Sequence, residues 1–215
     1  MRVFDLLIFD MDGVLVNTSP CHRRAYQDLW EKIGIAGPPY EVIVGKTTSE
    51  VVDEFTKDLR PSTKQKSEWV EFKQMAARTY LSTDNISYSD SASCLATLAA
   101  CGIPTALGTS ASRYNTDMIV DRLGFADFFG IVVTAEDVTA GKPSPDIFLR
   151  AIARSGASPE RTLVVEDSAA GLKAAAAAKT YAASVRTGEK IADPKFIGSF
   201  SNLNELLLEI GIAQV

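Results

Sequence analysis

The sequence is poor in the residues that staple, anchor or address a protein. Its three cysteines, at positions 21, 94 and 101 of 215 residues, are too few and odd in number for a disulfide framework. Cys94 and Cys101 fall seven apart, on one face of an expected helix, and no cysteine–histidine cluster accompanies them. All three are expected to be reduced and buried. Long apolar runs are also missing. The stretch Leu6-Leu7-Ile8-Phe9 is far too short for a signal segment or a membrane span, so a cytoplasmic location is expected and no membrane partner. The sequons at Asn17-Thr18-Ser19 and Asn85-Ile86-Ser87 then read as coincidence. No basic cluster is present and the net charge is -5, which argues against nucleic-acid binding, because duplex affinity comes from Lys and Arg neutralising phosphates. An anionic small molecule would need local help from a metal or a lysine. Internal repeats and low-complexity tracts are absent as well.

What remains is an ordinary globular composition, 46% hydrophobic and 23% charged. The length suits one large domain or a core with a smaller insert, and a monomer or weak dimer is expected. Short apolar runs at residues 6–10, 105–108, 131–134, 162–165 and 180–185 alternate with helical patterns, the signature of a doubly wound, Rossmann-like parallel α/β sheet. Residues 16–87 break the alternation. They contain no convincing strand and several amphipathic helical stretches, at 21–33, 49–58 and 64–81, and are too long for a simple strand-to-helix connection. They are expected to form an inserted all-helical cap domain, with residues 1–15 and 88–215 forming the core. Hinges are placed near Val16-Asn17 and at residues 82–88. The alanine-rich stretch 168–179 suits close packing on a sheet, and residues 202–210 read as a closing helix.

Four of the strand ends carry polar or small residues. Ligands of open α/β sheets bind beyond the carboxyl ends of strands, so these segments are expected to converge. Asp10-Met11-Asp12-Gly13 leaves the first strand with two acids on one side of an extended chain. In isolation such a tetrapeptide is as readily a solvated turn. Glu166-Asp167 follows the apolar run Leu163-Val164-Val165 and brings two more acids to the same edge. Crowded carboxylates repel one another, and a hard divalent cation with oxygen ligands, Mg²⁺ above all, relieves the repulsion. Lys142, in Gly141-Lys142-Pro143, supplies a positive charge. A carboxylate approaching a phosphate faces repulsion of roughly 4 kcal/mol per unit pair at 4 Å in an effective dielectric near 20, which a lysine and a metal offset. The segment is not a Walker loop, since Glu136 and Pro143 stand where glycine and Ser or Thr would be required. Thr109-Ser110-Ala111-Ser112 ends the second strand with hydroxyls and backbone N–H groups at a helix start, an anion cradle in which Ser110 and Ala111 face phosphate oxygens. Capping of the following helix is the competing role.

Taken in order, Asp10-Met11-Asp12-Gly13-Val14, Ser110, Gly141-Lys142-Pro143-Ser144-Pro145-Asp146 and Val165-Glu166-Asp167-Ser168-Ala169-Ala170-Gly171 resemble the haloacid dehalogenase superfamily. The likeness is to the phosphoglycolate phosphatase and β-phosphoglucomutase-like branch with a helical cap, and it spans the whole chain. The resemblance implies that Asp10 attacks phosphorus and becomes an aspartyl phosphate, with Asp12 as general acid and base. It implies Mg²⁺ held by Asp10, Asp167 and the Asp12 carbonyl, with Glu166 supporting the metal or its water, and Lys142 between Asp10 and the phosphate. True dehalogenases lack the second acid of the first motif, so Asp12 points to phosphate chemistry.

In the insert, His22 matches by spacing the histidine that assists sugar phosphates in the mutases. The loop Val44-Gly45-Lys46-Thr47-Thr48-Ser49 matches their substrate loop, but Thr48 stands where the mutases have arginine and Ala76 near where they have a lysine. Lys46 and Lys73 are the candidate replacements, and His22, Lys46 and Thr47 the candidate substrate contacts. The expected activity is hydrolysis of a small phosphomonoester, a small phosphorylated metabolite such as a sugar phosphate. The alternatives are an intramolecular phosphotransferase of the mutase kind and a receiver-like module that holds its aspartyl phosphate without turnover.

Overall fold

The computed structural model describes residues 4–44 and 46–212; Gly45 of the expected substrate loop lies outside them. In chain order, β1 (Leu6–Phe9) is followed by α1 (Ser19–Ile33), α2 (Tyr40–Ile43), α3 (Thr48–Phe55) and α4 (Thr63–Thr83). Then come α5 (Ser91–Ala100), β2 (Thr105–Gly108), α6 (Arg113–Arg122), β3 (Ile131–Val133), α7 (Asp146–Ser155), β4 (Thr162–Glu166), α8 (Ala169–Ala177), β5 (Tyr181–Val185), β6 (Phe196–Phe200) and α9 (Leu203–Glu209). The chain divides into two compact units, residues 4–17 with 87–212 and residues 18–86.

The first unit is built on a six-stranded sheet in the order β3-β2-β1-β4-β5-β6, with every neighbouring pair parallel. Strands β1, β2 and β4 are buried along their whole length, which is why they read as unbroken apolar runs rather than alternating ones. Helix α7 presents Ile147, Phe148, Ala151 and Ile152, and α8 presents Leu172, Ala174 and Ala175, to a core shared with Leu6, Ile8 and Val164. After β1 the chain moves outward to β2 and β3, then returns to place β4 on the other side of β1. That reversal makes the β1–β4 edge the switch point at which a doubly wound sheet opens a crevice.

The second unit contains only helices among its described residues. Its core gathers Tyr26, Leu29 and Trp30 of α1 with Ile43, Val51 and Val52. Helices α3 and α4 both begin with capping boxes, Thr47 with Glu50 and Ser62 with Gln65, in which two orphan N–H groups are satisfied reciprocally.

Three expectations are corrected. Strand β6 was not foreseen, because it is a half-exposed edge strand whose FIGSF carries a glycine and a serine in place of an apolar run, beside a register shift in β5. Cys101 is exposed rather than buried, because α5 ends at Ala100 and leaves it at the helix terminus. Ser158-Pro159-Glu160, which reads as a helix start with proline where a missing N–H does no harm, yields only a single 3-10 turn, Pro159–Arg161, since β4 begins at the next residue. No helix among the described residues is long and apolar enough to cross a membrane.

Candidate active site

The register of the sheet brings the acids together. Phe9 lies level with Val165 across the β1–β4 pair, and the Asp10 N–H continues the ladder by donating to the Val165 carbonyl at 2.9 Å. The next residue of each strand is therefore a carboxylate, Asp10 on one and Glu166 on the other, both buried. Beyond Asp10 the chain turns back on itself. The N–H groups of Leu15 and Val16 both donate to the Met11 carbonyl, at 3.0 and 3.1 Å, and Gly13 N–H donates to the Val16 carbonyl at 2.7 Å. Met11, Val14 and Leu15 anchor this turn in the core, while Asp12 is half-buried.

Gly13 has φ +80°, and a Cβ placed on it would lie 1.9 Å from Asp167 Oδ2. The glycine is thus required twice, by backbone conformation and by the carboxylate packed against it. Gly13→Ala is expected to displace Asp167 and to lower phosphatase turnover on the order of a hundredfold, the penalty for a misplacement of about an ångström near a reaction centre. Side-by-side rates and melting curves check this, and an alanine variant with wild-type turnover would contradict the packing argument.

Lys142 lies across the tips of three neighbouring strands. Its ammonium donates to Asp10 Oδ1 after β1, to Glu166 Oε1 at 2.5 Å at the end of β4, and to the Gly108 carbonyl at 3.1 Å at the end of β2. All three N–H bonds are used, and the lysine is as buried as its partners. The Lys142–Pro143 peptide bond is cis. The second oxygen of Glu166 accepts from the N–H groups of Asp167 and Ser168, at 3.1 and 3.3 Å, and from the Ser168 hydroxyl at 3.0 Å. Both Glu166 oxygens are therefore engaged by donors of the protein itself. Gly171 stands against this carboxylate so closely that a Cβ there would meet it at 1.9 to 2.2 Å. The Gly171 N–H in turn donates to the Ser168 hydroxyl oxygen, which caps α8.

The electrostatics follow from burial and crowding. Burial raises the Asp10 pKa well above the usual carboxylate range, against the pull of Lys142 and with Glu166 and Asp12 adding to the rise. Asp167 is pushed up to about 7, by burial first and then by Glu166. Burial alone would lower Lys142, but Asp10 and Glu166 outweigh it and hold the ammonium well above its ordinary value. Four acids thus face one lysine. Asp10, Glu166 and Asp167 can each present an oxygen within 4.8 Å of the others. An all-oxygen donor set with surplus negative charge fits a hard divalent cation such as Mg²⁺.

The cradle after β2 divides its tasks. Ser112, not Ser110, caps α6 by accepting from Asn115 N–H at 3.3 Å, and Ser110 is exposed. Thr109 is buried and its hydroxyl oxygen accepts the Ala111 N–H at 3.0 Å, so that donor has a partner inside the loop.

In the helical unit, His22 Nδ1 lies 3.1 Å from Lys73 Nζ, and the Lys73 ammonium sits 4.4 Å from the centre of the Tyr26 ring. Burial pushes Lys73 down to about 8 and, with Lys73 beside it, pushes His22 down to about 3. The histidine is therefore neutral and accepts from the lysine through Nδ1. Lys46 pairs with Glu54 at 2.6 Å. Thr47 is occupied as a helix cap, its hydroxyl donating to Glu50 Oε2 at 2.8 Å and its oxygen accepting Glu50 N–H at 3.2 Å.

Sequence reasoning missed the Gly108 carbonyl as the third acceptor for Lys142, because every residue carries a carbonyl and no side chain marks this one. It placed Thr109 in the cradle but gave its hydroxyl no partner, and the structure supplies one in the Ala111 N–H.

The family pattern described as haloacid dehalogenase-like hydrolase matches residues 4–179. Fructose-1-phosphate phosphatase YqaB of Escherichia coli K12 is 30% identical over 191 residues, covering 84% of this chain and 95% of its own length. A phosphorylated carbohydrates phosphatase of Thermotoga maritima is 28% identical over 181 residues, 81% of each chain. Among solved structures, the β-phosphoglucomutase of Clostridium difficile superposes with a TM-score of 0.78 at 24% identity, over 97% of this chain and 95% of that one, a likeness of fold. With four acids and a buried lysine at the switch point of a parallel sheet, and with these relatives, the chain belongs to the haloacid dehalogenase-like hydrolases and is a phosphohydrolase.

Proposed function

We propose that the protein hydrolyses a small phosphomonoester, a sugar phosphate or similar metabolite, through an aspartyl phosphate on Asp10. The observation that carries this reading is the Lys142 ammonium held between Asp10 and Glu166 at the tips of β1 and β4. It fixes a buried carboxylate in one orientation and supplies positive charge beside it. A carboxylate oxygen of Asp10 attacks phosphorus as the ester P–O bond breaks, and Asp12 gives its proton to the departing alkoxide. Water then attacks the same phosphorus, Asp12 takes a proton from it, and the bond between phosphorus and Asp10 breaks to release phosphate and the free carboxylate. Ser110 and the Ala111 N–H hold phosphate oxygens, the latter by exchanging its bond to Thr109. Glu166 keeps Lys142 in place rather than contacting the metal itself, since donors of the protein already fill both its oxygens. Asp10 and Asp167, with the Asp12 carbonyl, would hold Mg²⁺, which offsets the charge of the approaching phosphate.

Purified protein with Mg²⁺ is expected to release phosphate from an aryl phosphate and, faster, from members of a panel of phosphorylated metabolites. Chelation by EDTA is expected to bring turnover to background and added Mg²⁺ to restore it; undiminished turnover after exhaustive chelation would overturn the metal assignment. If β-glucose 1-phosphate with a bisphosphate primer gave glucose 6-phosphate instead of free phosphate, the mutase alternative would stand. An aspartyl phosphate that accumulates without turnover would favour the receiver-like reading.

His22 and Lys73 are the proposed substrate contacts of the helical unit. An ammonium that folding pushes down to about 8 is held at a cost to stability, and proteins keep such groups at functional sites more than elsewhere. Below pH 8 both folded and unfolded chains carry the charge and the cost is full; it vanishes once the unfolded lysine also deprotonates, near 10.5. Lys73→Met is therefore expected to stabilise the protein by up to about 3 kcal/mol at pH 7, with the gain shrinking between pH 8 and 10.5. Denaturant titrations across that range check the sign, and a Met variant less stable than wild type at pH 7 would show the charge to be compensated.

A further inference from the structure

Two residues just past the end of β5 bond backbone carbonyls of both acidic loops. Arg186 donates through Nε to the Val14 carbonyl at 3.1 Å, on the turn that carries Asp12, and through Nη2 to Asp90 Oδ1 at 2.5 Å. Its guanidinium lies 3.7 Å from the centre of the Tyr88 ring. The other Asp90 oxygen accepts from the Leu203 N–H at 2.7 Å, so the anchor of Arg186 is itself tied to the start of α9. The following residue, Thr187, donates its hydroxyl to the backbone carbonyl of Asp167 at 2.7 Å. Next to Val14, the Leu15 carbonyl accepts from Tyr88 N–H and the Ser91 hydroxyl, at 3.2 and 2.8 Å. The turn that displays Asp12 is thus gripped from behind by its own carbonyls.

Two features mark the arrangement as specific. Arg186 has φ +70°, a backbone region that a β-carbon disfavours and that persists only where the surroundings enforce it. Its charge is also nearly removed from water, the Arg186 and Asp90 side chains being 13% and 8% exposed. A guanidinium can bond the Val14 carbonyl and the Asp90 carboxylate at once through its fixed fork, which a lysine ammonium on a flexible stem does less well.

We propose that Arg186 and Thr187 are positioning residues for the phosphohydrolase reaction, bracing the turn that carries Asp12 and the loop that carries Asp167. The proposal rests on the roles assigned above to those two acids. Arg186 acts on proton transfer through the placement of Asp12, and Thr187 acts on metal affinity through the placement of Asp167. Removing either leaves every group that touches substrate in the sequence.

The test uses Arg186→Ala, Arg186→Lys and Thr187→Val in the full chain, with wild type alongside. For Arg186→Ala, kcat on an aryl phosphate with Mg²⁺ is expected to fall on the order of tenfold to a hundredfold with KM nearly unchanged, the signature of a displaced catalytic group. Added methylguanidinium is expected to restore part of kcat, and the lysine variant to lie between. Thr187→Val removes one hydroxyl at nearly constant volume, so it remains informative should the alanine variant fold poorly. It is expected to weaken Mg²⁺ binding on the order of tenfold in a calorimetric titration with the metal alone, as loss of an outer support does, with its melting temperature within a few degrees of wild type. An Arg186→Ala protein whose folded fraction turns over at the wild-type kcat, or a Thr187→Val protein with wild-type Mg²⁺ affinity, would overturn the assignment of that residue. If wild type itself released no phosphate, the proposed reaction would fail, while the calorimetric comparison would still decide the brace.

Discussion

Asp10→Asn is expected to lose phosphatase activity by about ten-thousandfold or more, the scale seen when the nucleophile of a covalent mechanism is removed, while folding at least as stably as wild type. The two halves of this expectation have one cause. An amide oxygen is too poor a nucleophile to displace an alkoxide from phosphorus, so the chemistry stops. The amide is nearly isosteric, however, and its carbonyl can still accept from Lys142 as Asp10 Oδ1 does. Burial and the neighbouring acids hold the Asp10 pKa well above the ordinary carboxylate value, which means that the ionised form is costly in the folded protein without a cation. A neutral amide removes that cost, and Lys142 retains Glu166 as its counter-ion at 2.5 Å. Steady-state rates with Mg²⁺ and melting curves without it provide the two readings. Full activity in the asparagine variant would remove Asp10 from the role of nucleophile, and a large loss of stability would show that the Lys142–Asp10 pair outweighs the burial of the charge.

Most of this crevice is legible in the sequence because its parts sit where strands end. Unbroken apolar runs followed at once by acids or hydroxyls can hardly be anything but buried strands opening on a polar edge, and strand register then does the rest. Asp10 meets Glu166 because Phe9 pairs with Val165 in the parallel register of β1 and β4. Gly13 and Gly171 are legible in a different way. Each stands in a motif beside an acid, and the structure shows why no side chain is tolerated there. The roles that stay hidden are those played by backbone atoms or by residues distant in sequence. Nothing in the string connects Arg186 to Val14, which lies 172 positions away, and nothing distinguishes the Gly108 carbonyl. The helical unit is harder still. Lys73 is legible only as a candidate replacement for the lysine that the mutases carry, and the packing of α1 against α4 is what sets it beside His22 and the Tyr26 ring. Thr47 is legible in part, since a hydroxyl in a glycine- and lysine-containing loop suggests a ligand contact and does not show that the chain also uses it to start α3. The edge strand β6 is illegible because it carries a glycine and a serine where the other edge strand, β3, keeps an apolar run.

Lys142→Met separates what this lysine does for the chemistry from what it does for the fold. Removing the ammonium leaves Asp10 and Glu166 as buried neighbours with no cation between them, and breaking a buried pair from one side typically costs about 3–5 kcal/mol. A fall in stability of that order is expected in metal-free protein. Turnover with saturating Mg²⁺ is expected to fall on the order of a hundredfold to a thousandfold, the range for losing one preorganised charge at a transition state. Either effect alone could be explained by damage to the fold, so the informative variant is the double one, Lys142→Met with Glu166→Gln. It removes one of the two orphaned charges as well as the lysine, and the Gln amide oxygen can still accept from the N–H groups of Asp167 and Ser168. Stability is expected to return toward wild type in the double variant and activity is not, because the positive charge beside Asp10 is gone in both. Parallel unfolding and rate measurements on the two variants decide between the roles. Recovery of turnover along with stability would mean that Lys142 only holds the strand tips together, and the phosphate would then owe its charge neutralisation to the metal alone.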